Sequence, residues 1–258
     1  MQLVVIGDIH AQEEKFWTLL GEAGLVDDEH RPSALLRQEE TRLILLGDLV
    51  HAKSRARYRE LAGVERYDEY DPEHLRCAER AQEAFLHRVK GFAQALPEGK
   101  IDILMGNHDF NAVTRSQGPL RTDDISHLEW KEGYGGTLDP ELADWIGSWK
   151  SELVLAGIHF AHVGPLPEHN RYDTGFYIEN RRRWIYEERD VLAETPYRLG
   201  VYGHTPVRGG VNIASQGRAI LLDTNGHGRE YAYLKIDICD DAYRLEMRGL
   251  FFDERMSR

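Results

Sequence analysis

The sequence predicts an α/β chain in which two mixed β-sheets pack together with helices outside. Three observations lead there. Short apolar runs ending in Gly and then Asp, Asn or His recur as VVIGDIH (4–10), LILLGDLV (43–50), DILMGNHD (102–109) and LGVYGHT (199–205). Such runs, bounded by turn residues, read as strands buried on both faces. The opening order strand–helix–strand argues for a parallel pair. Finally, helical spacing dominates the first half and strand patterns the second, which suits two sheets with outer helices.

In order, 3–6 is the first strand. Residues 12–21 read as a helix, with Phe16, Leu19 and Leu20 at helical spacing and Gly21 near the end. A polar, turn-rich stretch covers 25–41, and 42–46 is the second strand. The charged, aromatic stretch 54–70 reads as a helix or a lid. Asp71-Pro72 starts an amphipathic helix, with Asp as N-cap and Pro in the first turn. Leu75, Ala78, Phe85, Val89 and Phe92 mark its apolar face, and 97–99 break it. The third strand is 100–105, followed by a loop over 110–136, a helix over 138–149 entered through Asp139-Pro140, and one strand over 153–161. A polar insertion covers 166–196. Strands at 211–214, 219–222, 231–238 and 243–251 follow, separated by turn signals. The whole of 1–258 reads as one domain, with insertions at about 51–99, 110–150 and 166–196 forming a cap.

Composition narrows the function. The 258 residues are 41% hydrophobic and 29% charged, which suits a globular chain. No run approaches the roughly 18 apolar residues of a membrane span, and the chain starts directly in a strand without a signal peptide. Cys77 and Cys239 read as reduced thiols, so the expected setting is cytoplasmic. Asp plus Glu outnumber Lys plus Arg by 44 to 32, a net charge of −12 that disfavours membrane surfaces and long nucleic acid. A phosphate site is still compatible, because two divalent ions bring roughly +4 against roughly −2 from two carboxylates.

Four strand ends carrying Asp, Asn or His deliver ligands to one place. In open α/β sheets, ligands gather beyond the carboxyl ends of the strands. Asp8 and His10 are two apart and share a side if the chain is extended there. Asp48, Asn107 and His204 come from other strand ends, and His162 follows a fifth. Mixed carboxylate, amide and imidazole ligands suit Mn, Fe, Zn or Co rather than Ca. A carboxylate shared by two ions would set them about 3.5–4 Å apart.

These motifs resemble those of the calcineurin-like metallophosphoesterases, especially the phosphoprotein phosphatase and symmetrical diadenosine tetraphosphatase branch. Gly7, Asp8 and His10 match GD-x-H; Gly47 and Asp48 match the second GD; Gly106 to Asp109 match GNH followed by an acid. His162 with Gly164 matches the later histidine, and Gly203, His204 and Thr205 match GHT. Asp223-Thr224-Asn225-Gly226 resembles the stretch that follows. The resemblance implies a four-layer αββα sandwich and two divalent ions, manganese first, with Fe, Zn, Ni or Co as alternatives. One ion is held by Asp8, His10 and Asp48, the other by Asp48, Asn107, His162 and His204. It further implies hydrolysis of a phosphate ester or anhydride by a metal-bridging hydroxide, with His108 as general acid.

Two departures stand out. Pro206 occupies the place of a second histidine after GH, and His51-Ala52-Lys53 replaces the branch's Asp-Arg-Gly. Asp109, or His51 through water, is then expected to orient His108. Lys53, Arg55 or Arg57 would replace the phosphate clamp, with His51, Arg181 and Arg183 as further substrate-binding candidates. His159, three residues from His162, is expected to face the other side of its strand. The expected substrate is a phosphorylated small molecule, a nucleotide such as a dinucleoside polyphosphate, or a phosphoprotein. The competing readings are a phosphodiesterase or nuclease on nucleotides or short nucleic acid, and a scaffold that has kept the fold without its chemistry.

Overall fold

A computed structural model describes residues 1–258 apart from 39, 123, 165–189, 191, 194, 208–211, 215–216, 224–229, 241 and 252–258. In the first sheet, β1 (Gln2–Ile6), β2 (Thr41–Leu45) and β3 (Ile101–Ile103) run parallel. Antiparallel β11 (Glu230–Cys239) and β12 (Ala242–Phe251) complete it, in the order β12-β11-β1-β2-β3. The second sheet contains β6 (Glu152–Leu155), β7 (Ile158–Ala161), β8 (Leu199–Pro206), β9 (Asn212–Ala214) and β10 (Ala219–Asp223), in the order β6-β7-β8-β10-β9.

The unbroken apolar runs follow from burial on both faces. In β1, Leu3 and Val5 join Ile44, Phe160, Val201, Ile220 and Leu234 in the seam between the sheets. Val4 and Ile6 point the opposite way, as alternation along a strand requires. They meet Phe16, Leu19 and Leu20 of α1 (Glu13–Glu22), Phe85, Val89 and Phe92 of α4 (Pro72–Gln94), and Leu142 and Ile146 of α6 (Pro140–Gly147). Truncating a buried Phe such as Phe85 to Ala would cost about 3–5 kcal/mol. Both Asp-Pro helix starts form as expected: Asp71 accepts from the N–H groups of Glu73 and His74, and Asp139 from those of Glu141 and Leu142.

Several local expectations need correction. The single strand over 153–161 is a hairpin, because Ala156 (φ 51°) and Gly157 (φ 77°) turn the chain back between β6 and β7. The polar stretch 25–41 contains α2 (Ala34–Gln38), while the 54–70 stretch, expected as a helix or a lid, is helical over α3 (Arg55–Ala62). Ser54 caps α3 by accepting from the N–H of Arg57, and Gly63 ends it in the left-handed region. The GNH motif forms the first turn of α5 (Asn107–Val113), and the loop beyond it holds the ribbon β4 (Arg121–Thr122) and β5 (Ile125–Ser126).

Candidate metal centre

The turn after β1 carries Asp8 and His10, both fully buried. The extended spacing expected there does not occur. His10 (φ 50°) and Ala11 (φ 54°) are left-handed, as are Asp48 (φ 52°), His51 (φ 62°) and His204 (φ 61°). Each such non-glycine residue costs roughly 1–2 kcal/mol, and strain of this kind clusters at functional sites. Gly47 (φ 98°) makes the turn after β2, and Gly106 lets α5 approach it. A methyl group at Gly106 would lie 2.2 Å from Asp48 Oδ1. His204 sits inside β8 rather than past its end. A register shift against β10 between Leu221 and Asp223 marks a bulge there, and bulges re-aim side chains.

These turns bring the expected ligands together. Asp8 Oδ2 lies 3.5 Å from His10 Nε2, which lies 3.6 Å from Asp48 Oδ2. On the other side, Asp48 Oδ2 is 3.3 Å from His162 Nε2. Asn107 Oδ1 is 3.0 Å from both His162 Nε2 and His204 Nδ1. His10, Asp48 and His108 form one group that could hold a cation, and Asp48, His162 and His204 form another. Asp48 belongs to both.

The protons show what the first group accommodates. His10 Nδ1 lies 2.9 Å from the carbonyl of His51, so Nδ1 carries the hydrogen and Nε2 is a bare lone pair. Asp8 Oδ1 accepts from the His204 N–H and Asp48 Oδ1 from the His108 N–H, which leaves each Oδ2. Among the described residues, His10 Nε2, Asp8 Oδ2 and Asp48 Oδ2 are buried acceptors without a hydrogen-bond partner. Three bare acceptors converging in the interior fit a cation, and backbone carbonyls behind His10 and, through its Nδ1, His162 orient the rings as metal ligands require.

Charge is balanced in the same sense. Burial pushes the Asp8 and Asp48 carboxyls up, but His162 and other imidazoles outweigh it, holding Asp8 below the usual carboxylate value and Asp48 well below it. Burial opposes protonation of His162, yet Asp48 and Asp8 raise it to about 9. His204 falls to about 4 through burial and the proximity of His162.

Other expected site residues divide. Asp109 serves the backbone rather than the His108 ring. Its oxygens accept from the N–H groups of Asp48 (2.6 Å), Leu49 (2.9 Å), Gly106 (3.1 Å) and Val50 (3.3 Å), tying α5 to the β2 turn. The ring of His108 meets His51 directly, Nδ1 to Nδ1 at 3.1 Å, so no intervening water is needed. Lys53 is 7% exposed and its charge acts on His10, His108 and His204. Arg55 and Arg57 are committed elsewhere: Arg55 to Glu69, the Tyr67 carbonyl and the Asp124 carbonyl, Arg57 to Glu60. Arg181 and Arg183 lie outside the described residues, as do Thr224 to Gly226. His159 is held by Tyr202 Oη (2.9 Å) and Glu152 (2.8 Å), away from the cluster.

Several residues of the site escaped sequence reasoning. Buried Lys15 donates to the Asp8 carbonyl at 2.7 Å, and burial lowers it to about 8. His127 stacks on His51 with ring centroids 4.6 Å apart and planes 7° from parallel. Its nitrogens bond Tyr58 Oη (2.8 Å) and Thr122 Oγ1 (2.7 Å). Gln82 accepts the His51 N–H at 2.7 Å and donates to Glu129 at 2.8 Å.

Two face-to-face mixed sheets with a His, Asp and Asn cluster at or near their strand ends define a metallophosphoesterase fold. The chain belongs to the calcineurin-like phosphoesterase family, whose model matches residues 1–228. A solved protein serine/threonine phosphatase from Saccharomyces cerevisiae, described as similar to human phosphatase PP5, shares the fold. Its TM-score is 0.57 at 13% identity, over 98% of this chain and 81% of that one. Vacuolar Protein Sorting 29 from Cryptosporidium parvum aligns over 97% of this chain and 98% of its own, with TM-score 0.34 and 12% identity. A search of curated proteins gave no match. Among the described residues no helix is long and apolar enough to cross a membrane.

Proposed function

We propose that this chain is a two-metal phosphohydrolase acting on a phosphate monoester or anhydride. The observation that carries the reading is the convergence of three bare buried acceptors, His10 Nε2, Asp8 Oδ2 and Asp48 Oδ2, on one side of Asp48, with His162, Asn107 and His204 gathered on its other side. Asp8, His10 and Asp48 would hold one divalent cation, and Asp48, Asn107, His162 and His204 the other, manganese being the first choice. Bound cations supply charge neutralisation at phosphoryl oxygens and a nucleophilic water at neutral pH.

The chain's own residues do the rest. Lys53 is nearly buried, and among the described residues no partner takes its ammonium, which supports a role in which it would bind a phosphate oxygen as a point charge. His108 stands over the same carboxylate, Nε2 to Asp48 Oδ2 at 4.0 Å, and serves the leaving oxygen as hydrogen-bond or proton donor. Asp109 fixes the turn on which Asp48 and Lys53 are carried.

The test is metal analysis together with turnover of p-nitrophenyl phosphate, its bis ester, a phosphopeptide and a diadenosine polyphosphate, with manganese added. Metal-dependent turnover of the monoester or anhydride, lost together with metal in Asp48→Asn, is the expected result. Preference for the diester would move the chain to the phosphodiesterase reading. A chain that takes up no metal and turns over nothing would be a scaffold.

A further inference from the structure

The ring that supports His108 is unusual in kind. A carboxylate in that place could only accept a hydrogen, whereas His51 is an imidazole that can donate one. The two Nδ1 atoms lie 3.1 Å apart and both rings are buried. With one nitrogen facing another at that distance, one ring donates and the other accepts. The direction decides which nitrogen of His108 faces the metal centre with a hydrogen.

The surroundings of His51 decide it. Nε2 of His51 is buried and, among the described residues, has no hydrogen-bond partner. A stranded buried N–H is rarer in folded proteins than an under-used acceptor. The ring therefore carries its hydrogen on Nδ1 and leaves Nε2 bare. It has little freedom to turn to a different arrangement. One face stacks on His127, which is pinned at both nitrogens by Tyr58 and Thr122. The backbone N–H of His51 is held by Gln82, and Trp130 stacks against the ring at 5.7 Å. These supports come from α3, α4, β4 and the stretch after β5, which is where the sequence placed insertions.

Resting on the proposed reading of the site, we propose that His51 is a positioning residue. Its Nδ1–H donates to Nδ1 of His108, so the neutral His108 ring carries its hydrogen on Nε2. Two consequences follow. Nε2 of His108 lies 4.0 Å from Asp48 Oδ2 and belongs to the group that could hold a cation with His10 and Asp48. A nitrogen that carries hydrogen has no lone pair to give a metal, so His108 is kept off the cation and free to act on substrate. The ring also offers a hydrogen-bond donor toward the centre without first gaining a second proton.

The tautomer can be read directly. In histidine-labelled protein, long-range proton–nitrogen NMR assigns the ring nitrogens, with His51→Gln and His108→Gln identifying the signals. Metal-free and zinc-loaded protein should both show His108 protonated at Nε2 and bare at Nδ1, with the reverse pattern for His51. A hydrogen on Nδ1 of His108, or on both nitrogens, would overturn the proposal. His51→Asp provides a second arm. A carboxylate can only accept, so His108 should turn its hydrogen to Nδ1 and bare Nε2. The cobalt-loaded variant should then gain a ligand, seen as a changed visible spectrum that reverts in His51→Asp combined with His108→Gln. An unchanged His108 signal in folded His51→Asp also counts against the proposal. Failure of the functional reading looks different: His108→Gln would keep full metal-dependent turnover while the wild-type tautomer stayed as stated.

Discussion

Gly106→Ala probes the closest approach in the candidate centre. An added methyl would meet Asp48 Oδ1 at 2.2 Å and the Asp48 backbone nitrogen at 2.3 Å, whereas ordinary contact starts at 3.4 Å. Relieving the clash moves the start of α5 away from the β2 turn by about 1.2 Å. That motion stretches the bond from the His108 N–H to Asp48 Oδ1, now 2.8 Å, beyond hydrogen-bond range. Overpacking costs about 1–3 kcal/mol and the lost bond to a charged acceptor about 1.5–3, so destabilisation of about 2.5–6 kcal/mol is expected. Asn107 and His108 move with the helix, and an ångström of misplacement costs about 100-fold in rate. Urea unfolding gives the first number and turnover of p-nitrophenyl phosphate the second. Gly91→Ala is the control: among the described residues nothing beyond its own helix backbone and chain neighbours lies within 4 Å of its added methyl, and within α4 it should stabilise by up to about 1 kcal/mol. A Gly106→Ala protein within 1 kcal/mol of wild type and fully active would refute the reasoning.

Three further outcomes are expected. His162 is protonated below about 9 in the metal-free protein, and a ligating imidazole must be neutral. Metal binding should therefore release about one proton at pH 7 and tighten up to about tenfold per pH unit toward 9, measurable by calorimetry in two buffers. Flat affinity with no proton release would contradict this. Lys53→Met should leave metal content intact and lower kcat/KM by about 10–100-fold, or about 1.4–2.7 kcal/mol, through steady-state kinetics. Burial raises Glu129 from 4.5 to about 7. The unfolded chain thus loses that proton first, and stability falls as pH rises between those values. Glu129→Gln escapes the penalty and should be about 1–2 kcal/mol more stable than wild type at pH 8.5, with no gain at pH 4, by urea midpoints.

The residues gathered at the centre were legible for a physical reason. Asp8, Asp48, Asn107, His162 and His204 each follow an apolar run or lie at its end, so strand packing carries them to one end of the sheets, where the turns aim them. The turn geometry was less legible: nothing in the spacing of Asp8 and His10 announces left-handed backbone. Gly157, inside a strand-like run, was a signal for the β6–β7 turn. Arg57 lies three residues before Glu60 on a helix, a local pairing that sequence can suggest, whereas Arg55 and Glu69 meet only through the fold. His127, Gln82 and Tyr58 gave no warning at all. His127 and Gln82 reach His51 from segments dozens of positions away, with Tyr58 behind His127, and local pattern carries no record of such meetings.

The carboxylates and Asn107 hang from one sheet, and His162 and His204 from the other. The spacing between the two candidate ligand groups is thus fixed by how the two layers seat against each other along Leu3, Val5, Phe160 and Val201. A greasy side chain far from the cluster would then detune the proposed chemistry by letting one layer slide, and a tightly held ion would in turn rivet the layers and set how the molecule comes apart.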